Sequence, residues 1–236
     1  MIRTGLIMTG VGLSLICTSP MLLRAKYLGA LGRKEEKADF VQKITSWWAR
    51  LILKLTGSKV KVSGLENIPQ NTPVVYISNH QGDSDVLVFL GYVPGYKCFI
   101  SKIEILKVPI LSSWMKAMRC VFMDRGNIKQ SVESINKGID NLRQGYSVII
   151  FPEGTRSRGP EMGEFKPGSF KLATRTGIPI VPVTIKNTYR IWEEKKRIRP
   201  AAVEIIISKP VETDYLTKEE LKELPSKVKS IIKENL

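Results

Sequence analysis

One histidine occurs in the 236 residues, and it stands five places before an aspartate in Asn79-His80-Gln81-Gly82-Asp83-Ser84-Asp85. An imidazole oriented by a carboxylate is the arrangement of a general base: the carboxylate fixes the tautomer and stabilises the imidazolium formed on proton uptake. Five residues of regular helix rotate by about 140° net, so His80 and Asp85 meet only across a bend. Gly82 supplies a flexible turn, and Asp83 or Ser84 is a suitable N-cap, which would place Asp85 in the first turn of a helix, able to reach back to His80. A turn histidine that only bonds locally is the alternative reading of this spacing. A metal site is not attractive, because a second histidine is missing. A Ser or Cys nucleophile stays open on spacing alone, although no G-x-S-x-G elbow occurs, and the base can instead act directly on a substrate hydroxyl.

A second cluster is Phe151-Pro152-Glu153-Gly154-Thr155-Arg156-Ser157-Arg158, a strand end followed by a glycine-containing loop with two arginines. Backbone amides around a glycine and a guanidinium fork together suit a phosphate or a developing oxyanion. Asp124-Arg125-Gly126 follows another strand and offers a further arginine. In α/β sheets ligands gather at the carboxyl ends of strands, and His80, Arg125 and Arg156 all occupy such positions. Each arginine alone also reads as a solvated surface charge in a chain with 37 Lys and Arg; three strand-end motifs together carry more weight.

These residues need a sheet to position them. Short β-branched runs mark strands at Val60 to Ser63, Val74 to Ser78, Lys97 to Ile100, Cys120 to Met123, Ser147 to Phe151, Ile180 to Ile185 and Val203 to Ile207. Helical patterns fall near Asp83 to Leu90, Lys102 to Arg119, Asn127 to Arg143, Pro167 to Thr176 and Thr217 to Leu236, the last kinked or restarted at Pro225. The alternation implies an α/β fold over residues 58 to 236, with a mixed, largely parallel sheet flanked by helices.

Residues 1 to 57 read as a two-helix membrane-attachment segment. Thr4 to Leu23 carries no charge and is long enough to cross a hydrocarbon layer of roughly 30 Å, but glycines, hydroxyl residues and Pro20 dilute it, so a half-inserted helix fits as well. Pro20 and the lack of an A-x-A pattern argue against a cleaved signal. From Phe40 to Leu55, apolar residues recur at steps of three and four, with Trp47, Trp48 and Leu51 among them, as in an interfacial amphipathic helix. A core-packing helix has the same pattern. Basic residues lie almost wholly after the first run, which predicts that the rest of the chain faces the cytoplasm.

The formal net charge of +15 points to an acidic partner, and the first 57 residues hold nine basic and three acidic side chains, so the excess is spread along the chain. Nucleic acid is disfavoured, because the aromatics cluster around Trp47 and Trp48 and are not interleaved with basic residues. Cys17, Cys98 and Cys120 lack the spacing of a disulfide framework or a zinc site.

Four blocks in order, Asn79-His80-Gln81-x-x-x-Asp85, Phe122-Met123-Asp124-Arg125, Phe151-Pro152-Glu153-Gly154-Thr155-Arg156-Ser157 and Ile180-Val181-Pro182-Val183, resemble those of the glycerolipid acyltransferase family, and Lys166-Pro167-Gly168-Ser169 is similar to its K-x-G-S stretch. The resemblance runs from about residue 60 to 190. The size and the FPEGTRS form look most like the bacterial members that acylate lysophosphatidate. It implies transfer of an acyl chain from an acyl carrier protein or coenzyme A thioester to the 2-hydroxyl of lysophosphatidate, without a cofactor, beside an anionic membrane. It also implies His80 as base, Asp85 as its orienter, and Arg125, Glu153, Thr155 and Arg156 at the phosphoglycerol. The tetrahedral oxyanion then needs donors, for which the Gly154 amide and the Lys102 ammonium are the candidates.

Overall fold

The computed structural model describes Met1 to Leu236. Its seven strands are β1 (Lys59–Ser63), β2 (Val75–Ser78), β3 (Lys97–Lys102), β4 (Val121–Met123), β5 (Ser147–Ile150), β6 (Ile180–Lys186) and β7 (Ala202–Ile207), in the sheet order β1-β7-β6-β2-β5-β3-β4. Every pairing is parallel except β6 with β7. All seven expected strands are present within one or two residues of their predicted ends. The central strands β2 and β6 are buried along nearly their whole length, which is why they read as unbroken apolar runs. Because β2 lies between β5 and β6 and runs parallel to both, the segments after these three strands emerge together at one edge.

The helices are α1 (Ile2–Cys17), α2 (Ser19–Ala30), α3 (Lys34–Thr56), α4 (Ser84–Tyr92), α5 (Pro109–Ala117), α6 (Ile128–Arg143), the short α7 (Lys171–Thr174) and α8 (Lys218–Glu234). The single helix expected over Lys102 to Arg119 is two elements. A 3-10 turn at Ile103–Lys107 precedes α5, because Pro109 forces Val108 into extended backbone (φ −104°, ψ 98°) and then opens the helix at its first position. A 3-10 turn at Pro167–Phe170 likewise precedes α7. Helix α8 starts at a capping box between Thr217 and Glu220 and runs through Pro225 without restarting, held by buried Leu224, Val228 and Ile232.

The N-terminal region differs from the expected pair of helices. The first apolar run is a bent helix from Ile2 to Ala30, long and apolar enough by length and composition to cross a membrane, broken at Thr18 beside Pro20. It is tied to the body along its length. Arg3 donates to the Thr56 carbonyl (2.7 Å), the Trp48 indole N–H to Ser14 Oγ (3.0 Å) and the Trp114 indole N–H to Thr18 Oγ1 (2.9 Å). Helix α3 packs against α4, and its Val41, Ala49 and Leu53 belong to the same core as the sheet residues. Packing is therefore continuous across residue 57, where the domain boundary was expected. Of the three side chains expected at a membrane, only Trp47 is exposed; Trp48 and Leu51 are half-buried, Trp48 against α1. An amphipathic stripe states that a helix has an apolar partner and does not say whether that partner is lipid or protein.

Candidate active site

The loop between β2 and α4 carries the predicted base. Asp83 is the N-cap of α4 and Asp85 lies in its first turn, so the backbone turns at Gly82 as the spacing required. His80 Nδ1 and Asp85 Oδ2 are 2.7 Å apart. Asp85 is fully buried, and the same oxygen accepts the Gly82 N–H (2.9 Å) while its other oxygen accepts the Thr188 hydroxyl. A carboxylate so surrounded acts as an acceptor from Nδ1–H, which leaves Nε2 with its lone pair free for a substrate proton. The imidazole stacks on Phe151 at 4.0 Å between centroids, with 15 % of its side chain exposed, so it is fixed by packing and still reachable.

The loop after β5 holds the histidine from behind. Its Ser157 N–H donates to the His80 carbonyl (2.8 Å) and its Arg158 N–H to the Gln81 carbonyl (3.1 Å). Glu153 is turned inward and does not face an acceptor. Its Oε1 takes the His80 main-chain N–H (2.7 Å) and its Oε2 the Gly163 N–H (2.8 Å), and burial raises its pKa against the pull of those two bonds. Its contacts are those of a brace for the His80 loop. The Gly154 N–H is already donated to the Phe151 carbonyl (3.1 Å) in a turn with φ +72°, which removes it as a free oxyanion donor. The main-chain N–H groups of the next two residues, Thr155 and Arg156, have no protein acceptor, and the Thr155 side chain is exposed. Lys102 points to the surface, where its ammonium pairs with Glu104 at 2.9 Å.

Beside Phe151 and Gly154 opens a cavity of about 300 Å³ between α6 and the segment around α7. Its floor is apolar, with Ile100, Ile135 and Ile150, and its rim carries Arg125, Lys166, Lys171 and Arg175 and no carboxylate. Such a cavity concentrates the field of its cations and suits an amphipathic anion. Arg156 is not part of this wall; its guanidinium contacts Asp83 and Glu193. The structure thus brings together His80, Asp85 and Glu153, sets Arg125 on the cavity rim, and leaves Lys102 outside.

Sequence reasoning missed Thr188, Glu193 and the cationic rim beyond Arg125. Thr188 and Glu193 follow β6, and only the placement of β6 next to β2 delivers them to the histidine loop. Lys166 was visible in its K-x-G-S stretch, and in the structure its ammonium lies over Gly154, within 2.9 Å of where a Cβ would stand.

Residues 59–186 match the family model described as Acyltransferase. The chain is 37% identical over 156 residues to a chloroplastic 1-acyl-sn-glycerol-3-phosphate acyltransferase of Brassica napus, covering 65% of this chain and 45% of that one. It is 35% identical over 199 residues to the 1-acyl-sn-glycerol-3-phosphate acyltransferase of Saccharomyces cerevisiae, covering 82% of this chain and 65% of that one. The chain thus spans between about half and two thirds of the length of these curated relatives. The crystal structure of the 1-acyl-sn-glycerophosphate acyltransferase PlsC from Thermotoga maritima superposes with a TM-score of 0.82 at 28% identity, over 99% of this chain and 95% of that one. With the family's blocks folded into one site and the family model spanning more than half of its length, this chain belongs to the acyltransferase family.

Proposed function

We propose that the protein transfers a fatty acyl chain from an acyl carrier protein or coenzyme A thioester to the sn-2 hydroxyl of 1-acyl-glycerol-3-phosphate, forming phosphatidic acid. The observation that carries this reading is the His80–Asp85 pair, buried on its Asp85 side and open on its Nε2 side, next to an apolar cavity rimmed by unpaired cations. His80 Nε2 takes the proton of the sn-2 hydroxyl as its oxygen attacks the thioester carbonyl. Collapse of the tetrahedral intermediate expels the thiolate, which recovers that proton, so no covalent enzyme intermediate is required. The N–H groups of Thr155 and Arg156 and the Lys166 ammonium are the donors for the oxyanion and for the acceptor's phosphoglycerol, together with Arg125 and the Arg156 guanidinium. Neither a metal nor a cofactor takes part in this scheme.

The activity for which the relatives are named supports the choice of acceptor, and the four ordered blocks support the residue roles. Attachment to the cytoplasmic face of the cell membrane is part of the proposal. The exposed apolar side chains of α1 and α2 and the basic residues that follow them would meet an anionic bilayer, with Trp47 at its headgroups. Helix α1 alone is about 24 Å long, short of the hydrocarbon thickness, and it is bonded to α3, which favours burial within one leaflet.

The test is thioester-dependent acylation of lysophosphatidate in anionic vesicles by the full chain and by His80→Ala. The variant should lose on the order of 10²–10⁴ in rate. Activity within about tenfold of the parent would remove His80 from the role of base. Equal turnover of lysophosphatidylethanolamine would overturn the acceptor assignment.

A further inference from the structure

Arg156 contacts two carboxylates of opposite character. Its Nη1 donates to Asp83 Oδ2 and lies 3.5 Å from Glu193 Oε1. The Asp83 side chain is 73% exposed; that of Glu193 is 1% exposed. Glu193 cannot move away. Its Oε1 also accepts the Asp83 main-chain N–H (2.9 Å), its Oε2 is buried without a partner, and a Cβ added to Gly82 would come within 2.5 Å of that oxygen. The glycine and the carboxylate are fitted to each other. Asp83 is free to leave. It stands at the N-cap of α4 and makes no side-chain cap bond there, so the first-turn N–H groups offer it a second place to go.

We propose that Arg156 is held by a fixed and an exchangeable carboxylate: Glu193 anchors the guanidinium, and Asp83 occupies the place that the acceptor's phosphate takes and gives it up when that phosphate binds. This rests on the reading of Arg156 as part of the acceptor site. The energetics favour the exchange. An ion pair with one partner so exposed contributes little, while a phosphate oxygen pair on a guanidinium fork makes two charge-assisted bonds. Binding also separates the incoming dianion from a like charge once Asp83 turns toward the helix terminus, where a carboxylate is favoured. Asp83 therefore acts through Arg156 as a positioning residue and sets how strongly the site selects for a phosphate over a neutral headgroup.

The experiment is a double-mutant cycle between Asp83→Asn and Arg156→Ala, read as apparent KM and kcat for lysophosphatidate at saturating acyl donor. Asp83→Asn should lower the KM for lysophosphatidate about threefold to tenfold, with the change falling on KM and not on the KM for the thioester. The same substitution made on Arg156→Ala should change nothing further. An unchanged or raised KM in Asp83→Asn, or an equal fall without Arg156, would overturn the exchange. If Arg156→Ala itself leaves the KM for lysophosphatidate unmoved, the acceptor-site reading fails first, and that outcome is distinct. Glu193→Gln, close to isosteric, should raise the KM; a fall would show that the two carboxylates do not divide the roles.

Discussion

At the carboxyl edge of the sheet Asp85, Glu153, Thr188 and Glu193 are buried polar side chains; along α1 and α2 Ile2, Leu6, Leu13, Ile16 and Leu23 are exposed apolar ones. Both regions invert the ordinary partition between core and surface, and they do so by different means. The edge keeps its polar groups buried by pairing nearly all of them: six of the seven oxygens on these four side chains are hydrogen-bonded, and Glu193 Oε2 is left over. Burying such groups without those bonds would cost several kcal/mol each, so their arrangement is tightly specified. The first two helices specify only a surface. At 100° per residue Ile2, Leu6, Leu13 and Ile16 fall within roughly 80° of one another, while Ser14 and Thr18, which bond to Trp48 and Trp114, face the body. One inversion fixes atoms for chemistry; the other fixes a plane for contact.

The comparison breaks first at Asp85. Asp85→Asn keeps the volume but offers an amide where Nδ1–H needs an acceptor, and it should lower kcat on the order of 10² or more, as measured by initial rates of lysophosphatidate acylation. A loss below tenfold would mean that the buried pair serves structure alone. The surface should fail in a different observable. Ile2, Leu6, Leu13 and Ile16 changed together to Ser should weaken binding to anionic vesicles by roughly a hundredfold or more, on about 0.8 kcal/mol per buried CH₂, in a flotation assay. Unfolding should not accompany it, because none of the four is buried. Removal of residues 1 to 57 is a poor substitute for this test, since it takes Val41, Ala49 and Leu53 out of the core.

A smaller effect is expected at Thr188, whose hydroxyl is the sole donor to Asp85 Oδ1 and is itself fully buried. Thr188→Val leaves that oxygen unsatisfied, which should cost about 1–3 kcal/mol of stability and near tenfold in kcat. Thr188→Ser should restore most of both; a serine variant as impaired as the valine would point to lost packing.

The same contrast governs what could be read before the structure. Strands β1 to β7 were legible because a buried strand must be apolar along its length, and the His80–Asp85 turn was legible because its geometry is local, a glycine bend and an N-cap. Thr188 was not legible, because it meets Asp85 across 103 residues and only sheet order joins them. The Gly154 amide and Lys102 were read as donors because residue type shows capacity and conceals prior engagement, here with the Phe151 carbonyl and with Glu104. Helix α3 stayed open between lipid and core because its stripe suits a bilayer and α4 equally.

Lys97 tests whether burial of a polar group is by itself a mark of chemistry. It opens β3 at the amino end of the sheet, away from the edge that carries His80, and is buried under α3 with a single bond from its ammonium to the Gly95 carbonyl (3.1 Å). Burial first, and the Arg50 charge second, push its pKa down to about 7. An unfolded lysine titrates near 10.4, so the folded protein gives up this proton earlier, and folding stability should rise with pH between about 7 and 10. Below about 7 the chain carries the full cost of a poorly solvated ammonium. Lys97→Met should therefore gain at least about 1 kcal/mol at pH 7 by urea denaturation, flatten that rise, and leave turnover of lysophosphatidate as it was. A loss of turnover would give the amino end a role in function and erase the distinction between the two ends of the sheet. A gain without loss would show that the polar groups at the carboxyl edge are set apart by their denser pairing and their nearness to an open imidazole nitrogen, since Lys97 has burial without either.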